Sequence, residues 1–302
     1  SDLVKIPKFY YKHTYTGSVH EFWVADGPAE GYKLHPAFIR AGVEKEYILM
    51  GAYEAWIDEV DGGKLTSISG KSPTTSKNIV EFRTAAQARG TGWNQLEVQT
   101  YSAIQLLYLV EYADTNCQTV IGKGVVDLGW DGTYKAVATG GCDSLDGASG
   151  MADGTNGQVS VSYRGMENLW GNVWKFVDGI NIKNSEKQPY VADNGFESNK
   201  FVEPYKPSGI TLPLNDGYVK NLGCSAKADW LLMPHGDAAV GGSNSTYIPD
   251  YFYQNWGNSA DKVALVGGSW RSGTNAGLFD WYVNADSSNA ALNVGGRLLL
   301  IP

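Results

Sequence analysis

The distribution of glycine excludes long regular elements from most of this chain. The 302 residues include 37 glycines. After Asp114, Gly, Asp, Asn and Ser separate short apolar pieces such as 263–266 and 297–301. Glycine favours turns and close backbone approach, and it weakens helix and strand interiors. The sequence therefore predicts that the larger, second part of the chain consists of short strands joined by long ordered loops.

The first part of the chain carries clearer periodic patterns. Alternating aromatic and polar residues over 5–24 predict two strands around a turn at Thr16-Gly17-Ser18, and 46–53 predicts another strand. Helical spacing of apolar residues predicts helices over 77–89 and 101–112, the second capped by Thr100.

Short strands are predicted further along, at 158–163 and 173–178. No stretch has the composition of a linker between domains. We therefore expect one domain over 1–302, of the α+β class, with 1–34 as an N-terminal β extension.

Composition restricts the kinds of partner. Hydrophobic residues make up 43% and charged residues 19%, which is sufficient for a packed core. The net charge is −8 and no basic patch stands out, so nucleic acid is not expected as a partner. No apolar run approaches the roughly 20 residues that span a bilayer, so membrane insertion is not expected.

Familiar catalytic and metal-binding patterns are missing. Cys117, Cys142 and Cys224 form no CxxC pair, which argues against structural zinc. Three reduced, mostly buried thiols are expected, although a disulfide between two of them stays open. The four histidines show no metal-ligand spacing, and GxSxG, HExxH and P-loop motifs are absent. The sequence therefore predicts no enzyme and no cofactor.

Three ordered motifs carry a family resemblance. They are ENLWGNVW at 167–174, VGGSW at 266–270 and NVGGRL at 293–298. Together they resemble the C-type lectin fold in its formylglycine-generating-enzyme-like branch, over about residues 35–302. Within that branch, the chain is most similar to the variable proteins of diversity-generating retroelements and related phage tail proteins, the major tropism determinants among them. The resemblance implies two helices, short antiparallel strands and extensive ordered loops.

The same resemblance marks 267–297 as a variable, ligand-binding segment. Trp270, Gly277, Phe279 and Arg297 are expected to form its rigid frame. Polar and aromatic residues between them are expected to point outward and read a ligand, as Tyr, Ser, Asn and Gly do in antibody binding sites. The predicted ligand-binding residues are Ser269, Arg271, Ser272, Thr274, Asn275, Asp280, Tyr282, Asp286 and Asn289.

We do not expect this chain to retain the copper-dependent catalysis or the calcium binding of the family. The copper-binding cysteine pair of formylglycine-generating enzymes has no counterpart, since no cysteine follows Cys224. The branch also has a calcium site, for which Asn168, Gly171 and Val173 match, but Lys175 stands where the family has an acid. Calcium requires anionic oxygen ligands. We therefore expect that site to be empty, with the Lys175 ammonium supplying the positive charge. An ion in the acidic loop 143–153 remains an alternative.

The resemblance implies a non-catalytic receptor-binding protein on a phage or prophage tail. Its partner would be a bacterial cell-surface protein or glycan, and relatives that assemble as trimers on fibres suggest a homotrimer. Two alternatives stay open: a ligand-binding protein displayed on the bacterial surface, and a structural virion subunit whose C-terminal loops only mediate assembly.

Overall fold

The two predicted helices form close to their predicted bounds. In this computed structural model, which describes residues 1–17 and 19–302, they are α1 (Ile79–Gln87) and α2 (Val98–Tyr112), and a short α3 (Cys117–Val120) follows. Asn78 and Glu81 form a reciprocal capping box at the start of α1. Ser18, in the turn predicted at 16–18, lies outside the described residues.

Helix α2 begins three residues earlier than the sequence predicted. Its cap is Glu97, whose carboxylate accepts the backbone N–H groups of Gln99 and Thr100, each at 2.8 Å. The prediction of Thr100 as the cap was wrong because Glu97 is buried and paired with Arg40 across 2.5 Å. That tertiary contact holds the carboxylate at the helix start, where the helix dipole favours a negative charge.

Apart from four 3-10 helices of three residues each, the rest of the regular structure among the described residues is strands, most of them short. They are β1 (Leu3–Pro7), β2 (Tyr10–Thr16), β3 (Val19–Ala25), β4 (Lys33–Leu34), β5 (Ile39–Arg40), β6 (Val43–Glu44), β7 (Tyr47–Glu54), β8 (Trp56–Asp58), β9 (Lys64–Thr66), β10 (Trp93–Gln95), β11 (Gly150–Met151), β12 (Val161–Tyr163), β13 (Met166–Glu167), β14 (Trp174–Lys183), β15 (Gln188–Val191), β16 (Lys206–Pro207), β17 (Gly217–Tyr218), β18 (Tyr251–Gln254), β19 (Lys262–Val266), β20 (Trp281–Val283), β21 (Val294–Gly295) and β22 (Arg297–Leu300). With its minority of helix, the chain has an α+β fold.

The largest sheet gathers the second part of the chain. Its strands run in the order β16-β15-β14-β19-β20-β18-β17, and β21 pairs with β14. Most pairs are antiparallel as predicted, but β14–β21 and β18–β20 are parallel. The second exception arises because β20 inserts between β18 and β19. Strands β18 and β19 run in opposite directions. Because β20 is antiparallel to β19, it is parallel to β18.

A second sheet joins the two ends of the chain. Its order is β1-β7-β22-β10, so β22 lies between β7 and β10, and β1 and β10 form the two edges. Of the predicted extension 1–34, β1 thus belongs to this sheet, and only β2, β3 and β4 form a separate one. This places the predicted frame residue Arg297 inside a sheet.

Helix α2 lies at the centre of the larger hydrophobic core. Its apolar residues pack with Trp170, Phe279 and Trp281, whereas a smaller core surrounds Phe176 on β14. Cys117 and Cys142 are buried free thiols, and Cys224 is a partly buried one. None of the helices among the described residues is long and apolar enough to cross a membrane.

Candidate functional site

Arg297 joins the C-terminal segment to the centre of the molecule. Its side chain is fully buried. One guanidinium nitrogen donates to the carbonyl oxygens of Gly51 and Ala52, at 2.8 and 3.0 Å. The other donates to the carbonyls of Glu167 and Asn168. Burial lowers the pKa of Arg297 to about 10. The predicted frame role of this arginine is confirmed.

A buried lysine occupies the region where the family resemblance placed a calcium ion. The ammonium of Lys175 donates to the Gly171 carbonyl at 2.7 Å and lies 3.1 Å from the Glu54 carboxylate. Glu54 also accepts the side-chain amides of Asn168 and Asn172. Burial lowers the pKa of Lys175 to about 8, so the ammonium form still predominates at neutral pH. The positive charge predicted for Lys175 is therefore held by a carbonyl and a carboxylate.

The other predicted frame residues are also buried. Trp270 and Phe279 are fully buried. Gly277 is required for space, because a Cβ atom there would lie 2.1 Å from the Asp250 carboxyl. Gly267 has a φ of 90°, and a Cβ atom there would lie 2.5 Å from the Leu169 carbonyl oxygen. The frame thus holds the segment close against the motif at 167–174.

Strand alternation in the largest sheet separates a core face from an outer face. On β18 and β20, Phe252, Trp281 and Val283 are buried and pack into the main core. The neighbouring Tyr253 and Tyr282 are register partners, and both are only half-buried on the other face. The fold therefore presents tyrosine side chains outward from a rigid sheet.

Four tyrosines form one continuous patch on this face, which we call the tyrosine surface: Tyr218, Tyr251, Tyr253 and Tyr282. Successive ring centroids lie 5.0, 4.5 and 5.5 Å apart. Asn275 links two of the rings, because it accepts the Tyr218 hydroxyl at 2.6 Å and donates to the Tyr253 hydroxyl at 2.6 Å. Aromatic rings with a polar tip are common at recognition surfaces.

Exposed polar residues of the C-terminal segment border the tyrosine surface. Thr274 lies 3.0 Å from the Tyr218 hydroxyl. The guanidinium of Arg271 is exposed and lies 4.5 Å from the ring centroid of Trp130, which is 48% exposed. Burial raises the pKa of Tyr282, and the charge of Arg271 opposes that rise. Cation, hydroxyl, amide and aromatic groups therefore lie side by side.

Two predicted contact residues point inward instead of outward. Asp280 is fully buried because β20 begins only at Trp281, so the alternation that predicted an outward Asp280 does not yet apply. A Cβ atom at Gly268 would lie 3.2 Å from the Asp280 carboxylate, so this backbone covers it. Burial raises the pKa of Asp280, and Asp250 adds to the rise. Ser269 is buried too, and its hydroxyl accepts the amide of Asn293 at 3.1 Å.

The remaining predicted residues divide between two places. Ser272 is half-buried in the turn and accepts the N–H of Ser269 at 2.9 Å. Asp286 and Asn289 lie in the loop after β20, where Asp286 accepts the N–H of Ser288 at 2.8 Å. Among the described residues, no hydrogen bond or aromatic contact joins this loop to the tyrosine surface. From the predicted set, the structure thus brings together Thr274, Asn275 and Tyr282, and the charge of Arg271 acts on Tyr282.

Three members of the tyrosine surface were missed by sequence reasoning. Tyr251 and Tyr253 alternate with Phe252 and carried a usable strand signal. Tyr218 had none, because β17 is only two residues long and meets β18 from a distant part of the sequence. No group of three or more His, Cys, Asp and Glu side chains suited to a metal ion occurs in the part of the chain that the structure describes.

Comparison with protein-family models and with curated proteins found no match. Comparison with solved structures found variants of the Major Tropism Determinant. The M1 variant is 13% identical, with 87% of this chain and 51% of that chain covered and a TM-score of 0.36. The P3c variant is 14% identical over the same shares at the same TM-score, and the I1 variant is 14% identical over 84% and 50%. This chain therefore spans about half the length of these proteins, at a similarity too low to assign their fold or function to it.

Proposed function

We propose that this chain is a non-catalytic receptor-binding protein with a C-type lectin-like fold of the retroelement variable type. It is carried on a phage or prophage tail and recognises a bacterial surface molecule. The observation that carries the proposal is the tyrosine surface, flanked by Arg271, Thr274 and Asn275. Binding residues are best presented by loops that a rigid scaffold positions.

The division between frame and surface supports this proposal. The frame residue Arg297 and the lysine Lys175 are both buried and hydrogen-bonded. The bordering residues Arg271 and Thr274 are exposed, and Asn275 is half-buried. Side chains at the surface can therefore be exchanged without opening the interior. Ordered aromatic rings also lose little conformational entropy on binding, which suits a recognition surface.

We call the buried residues Lys175, Glu54 and Arg297 the charge centre around Lys175. This centre supports a proposed function without a metal cofactor. A protonated lysine supplies one positive charge to Glu54 and to the Gly171 carbonyl, where a calcium ion would supply two. Recognition would then not depend on added calcium. A homotrimer on a fibre would raise modest affinity per site through multivalency.

Cell binding tests the proposal. Fluorescently labelled wild-type protein and a variant combining Arg271→Ala, Thr274→Ala and Tyr251→Ser are incubated with a panel of candidate host bacteria, and bound protein is measured by flow cytometry. The matched control is Tyr32→Ser, a half-buried tyrosine of the N-terminal part. We expect the combined variant to lose about tenfold or more in affinity for cells that bind the wild type.

Equal binding by the wild type and the combined variant would remove the tyrosine surface as the receptor site. Binding that persists with chelator present is expected, and calcium-dependent binding would contradict the metal-free proposal. Protease treatment and periodate oxidation of the cells then separate a protein receptor from a glycan. Burial of the tyrosine surface between subunits would instead favour a structural virion protein.

A further inference from the structure

Two histidines fasten the N-terminal hairpin of β2 and β3 to the body. Nδ1 of His13 lies 2.6 Å from the Asp229 carbonyl oxygen. Nε2 of His20 lies 3.0 Å from the Leu222 carbonyl oxygen. The other two ring nitrogens, Nε2 of His13 and Nδ1 of His20, face each other at 2.9 Å.

Proton counting determines the charge of this pair. A carbonyl oxygen only accepts hydrogen bonds, so Nδ1 of His13 and Nε2 of His20 must each carry a proton. If both rings were neutral, the facing nitrogens would present two lone pairs to each other. Their 2.9 Å separation is a hydrogen bond only if one more proton lies between them. A hydrogen bond between the two rings thus requires three N–H protons and one positive charge on the pair.

Burial and hydrogen bonding act on the charge of the pair in opposite directions. Burial opposes a charge because it lowers the pKa of both histidines, and the charge of His13 lowers the pKa of His20 further. The hydrogen bonds to the backbone at Asp229 and Leu222 act in the opposite direction and favour the protonated rings. On the His13 side, Asp229 pairs with Lys33 across 2.6 Å and accepts the hydroxyl of Tyr11.

Two further titratable groups face the pair. The Cys224 thiol lies 3.9 Å from Nδ1 of His13, and burial raises its pKa, so it is neutral. The ring centroid of Tyr15, on the hairpin itself, lies 4.3 Å from that of His20. Neither group neutralises the charge of the pair.

His20 also lines a cleft of about 470 Å³ between the hairpin and the body. Phe22 and Leu109 give it apolar walls, and Lys220 and Asn221 add a cation and an amide. The rim includes Tyr247, which is 68% exposed. No acidic residue is among the described residues that line the cleft.

Acidic groups lie near this cleft but not among the described residues that line it. Asp114, which is not part of the lining, helps to raise the pKa of Tyr247 through its charge. Asp229 lies beyond His13 and is paired with Lys33. The lining itself combines one exposed ammonium and the ring of His20 with apolar walls. Such a lining favours an anion that carries an apolar body.

We propose that this cleft is a binding site for a ring-bearing carboxylate, held by the ammonium of Lys220 and attracted by the positive charge that His13 and His20 share. The carboxylate accepts from the Lys220 ammonium and lies against the charged histidine pair, and its ring packs on Phe22 and Leu109. The site is separate from the tyrosine surface and does not depend on cell recognition.

The probe is benzoate, with benzyl alcohol as its neutral counterpart, and binding to the purified protein is measured by calorimetry and by NMR. We expect benzoate to bind at least tenfold more tightly than benzyl alcohol, and Lys220→Gln or His13→Gln to reduce its affinity about tenfold. Lys5→Gln, an exposed lysine elsewhere, should leave the affinity unchanged. Affinity should fall as the pH rises and the shared proton is lost.

Nitrogen-15 NMR of the histidine rings tests the shared proton directly. Three of the four ring nitrogens should be protonated in the charged pair, whereas two singly protonated neutral rings at pH 7 would overturn the assignment. Because His13→Gln also removes a contact of the hairpin, circular dichroism checks its fold, and Lys220→Gln provides the test without that contact. Equal affinities for benzoate and benzyl alcohol, or no benzoate binding at roughly millimolar concentration, would overturn the site.

Discussion

The charge centre around Lys175 and the tyrosine surface use polar groups in opposite ways. In the centre, Lys175, Glu54 and Arg297 are fully buried or nearly so, and each contacts several groups from distant parts of the chain. On the tyrosine surface, the hydrogen bonds join Asn275 to neighbouring hydroxyls and leave ring faces partly open. Burial makes the loss of one partner in the first set costly to stability, whereas the side chains of the second set stay partly exposed. Stability and recognition should therefore respond to different substitutions.

Lys175→Met should have the largest effect on stability. It removes the ammonium and leaves the buried Glu54 carboxylate without its counter-charge, which typically costs about 3–5 kcal/mol in unfolding free energy. Urea denaturation of the purified protein measures the loss. Adding Glu54→Gln to the same chain removes the unpaired charge and should recover part of it. A loss below about 1 kcal/mol for Lys175→Met would show that the centre is not a strongly coupled pair.

Glu167, whose pKa is affected by the charges of Glu54 and Arg297 in the centre, makes the stability of the fold depend on pH. Burial raises its pKa from 4.5 to about 7, although its carboxylate accepts the N–H groups of Gly140 and Cys142. The folded state thus holds this proton more tightly than the unfolded state. Its contribution to stability is fully present below pH 4.5 and is lost as the pH rises to about 7, by about 3 kcal/mol.

Chemical denaturation between pH 4.5 and pH 8 measures this slope, with Glu167→Gln as the comparison. The amide does not titrate, so the difference between the two curves isolates Glu167. Parallel curves would contradict the raised pKa.

Gly277→Ala tests how closely the segment is held to the frame. The new Cβ atom would lie 2.1 Å from the Asp250 carboxyl, so the turn or the buried aspartate must move. Overpacking of this kind costs about 1–3 kcal/mol. Thermal unfolding should show the loss, while Gly257→Ala should be nearly neutral, because its nearest neighbour is 3.6 Å away. Equal melting temperatures for the two variants would mean that the segment is loosely held.

Local sequence patterns predicted the parts of this fold that depend on neighbouring residues. Helix α2, the strand around Tyr47 and the buried frame residues Trp270 and Phe279 follow from apolar spacing and motif order. The start of α2 was missed because Glu97 acts as a cap only through its tertiary partner Arg40.

The candidate site was predictable only in part, for the same reason. Thr274, Asn275 and Tyr282 lie in the marked segment, but Tyr218 reaches them through pairing of strands that are far apart in sequence. Asp280 was misplaced because alternation cannot show where a strand begins. The histidine pair depends on the docking of the hairpin, which no local pattern encodes.

Tyr253→Phe should have a small effect on stability. It removes the hydroxyl that accepts from Asn275 at 2.6 Å, and one such hydrogen bond contributes about 0.5–1.5 kcal/mol. Tyr251→Phe is the matched control, since its hydroxyl makes no hydrogen bond among the described residues and its loss should be close to zero. Urea midpoints compare the two. Identical values would show that Asn275 does not order the tyrosine surface.

Arg271→Ala should have the smallest effect on stability and the clearest effect on recognition. Its guanidinium is exposed above the ring of Trp130, and a cation–π contact at such a site contributes about 0.5–1 kcal/mol. If stability depends on the charge centre and recognition on the tyrosine surface, the melting temperature of Arg271→Ala stays close to that of the wild type while its cell binding falls about tenfold. Gly277→Ala should do the opposite. Its melting temperature should fall, while the protein that remains folded should bind cells as the wild type does. A large stability loss with unchanged binding for Arg271→Ala would place this arginine with the frame and not with the tyrosine surface.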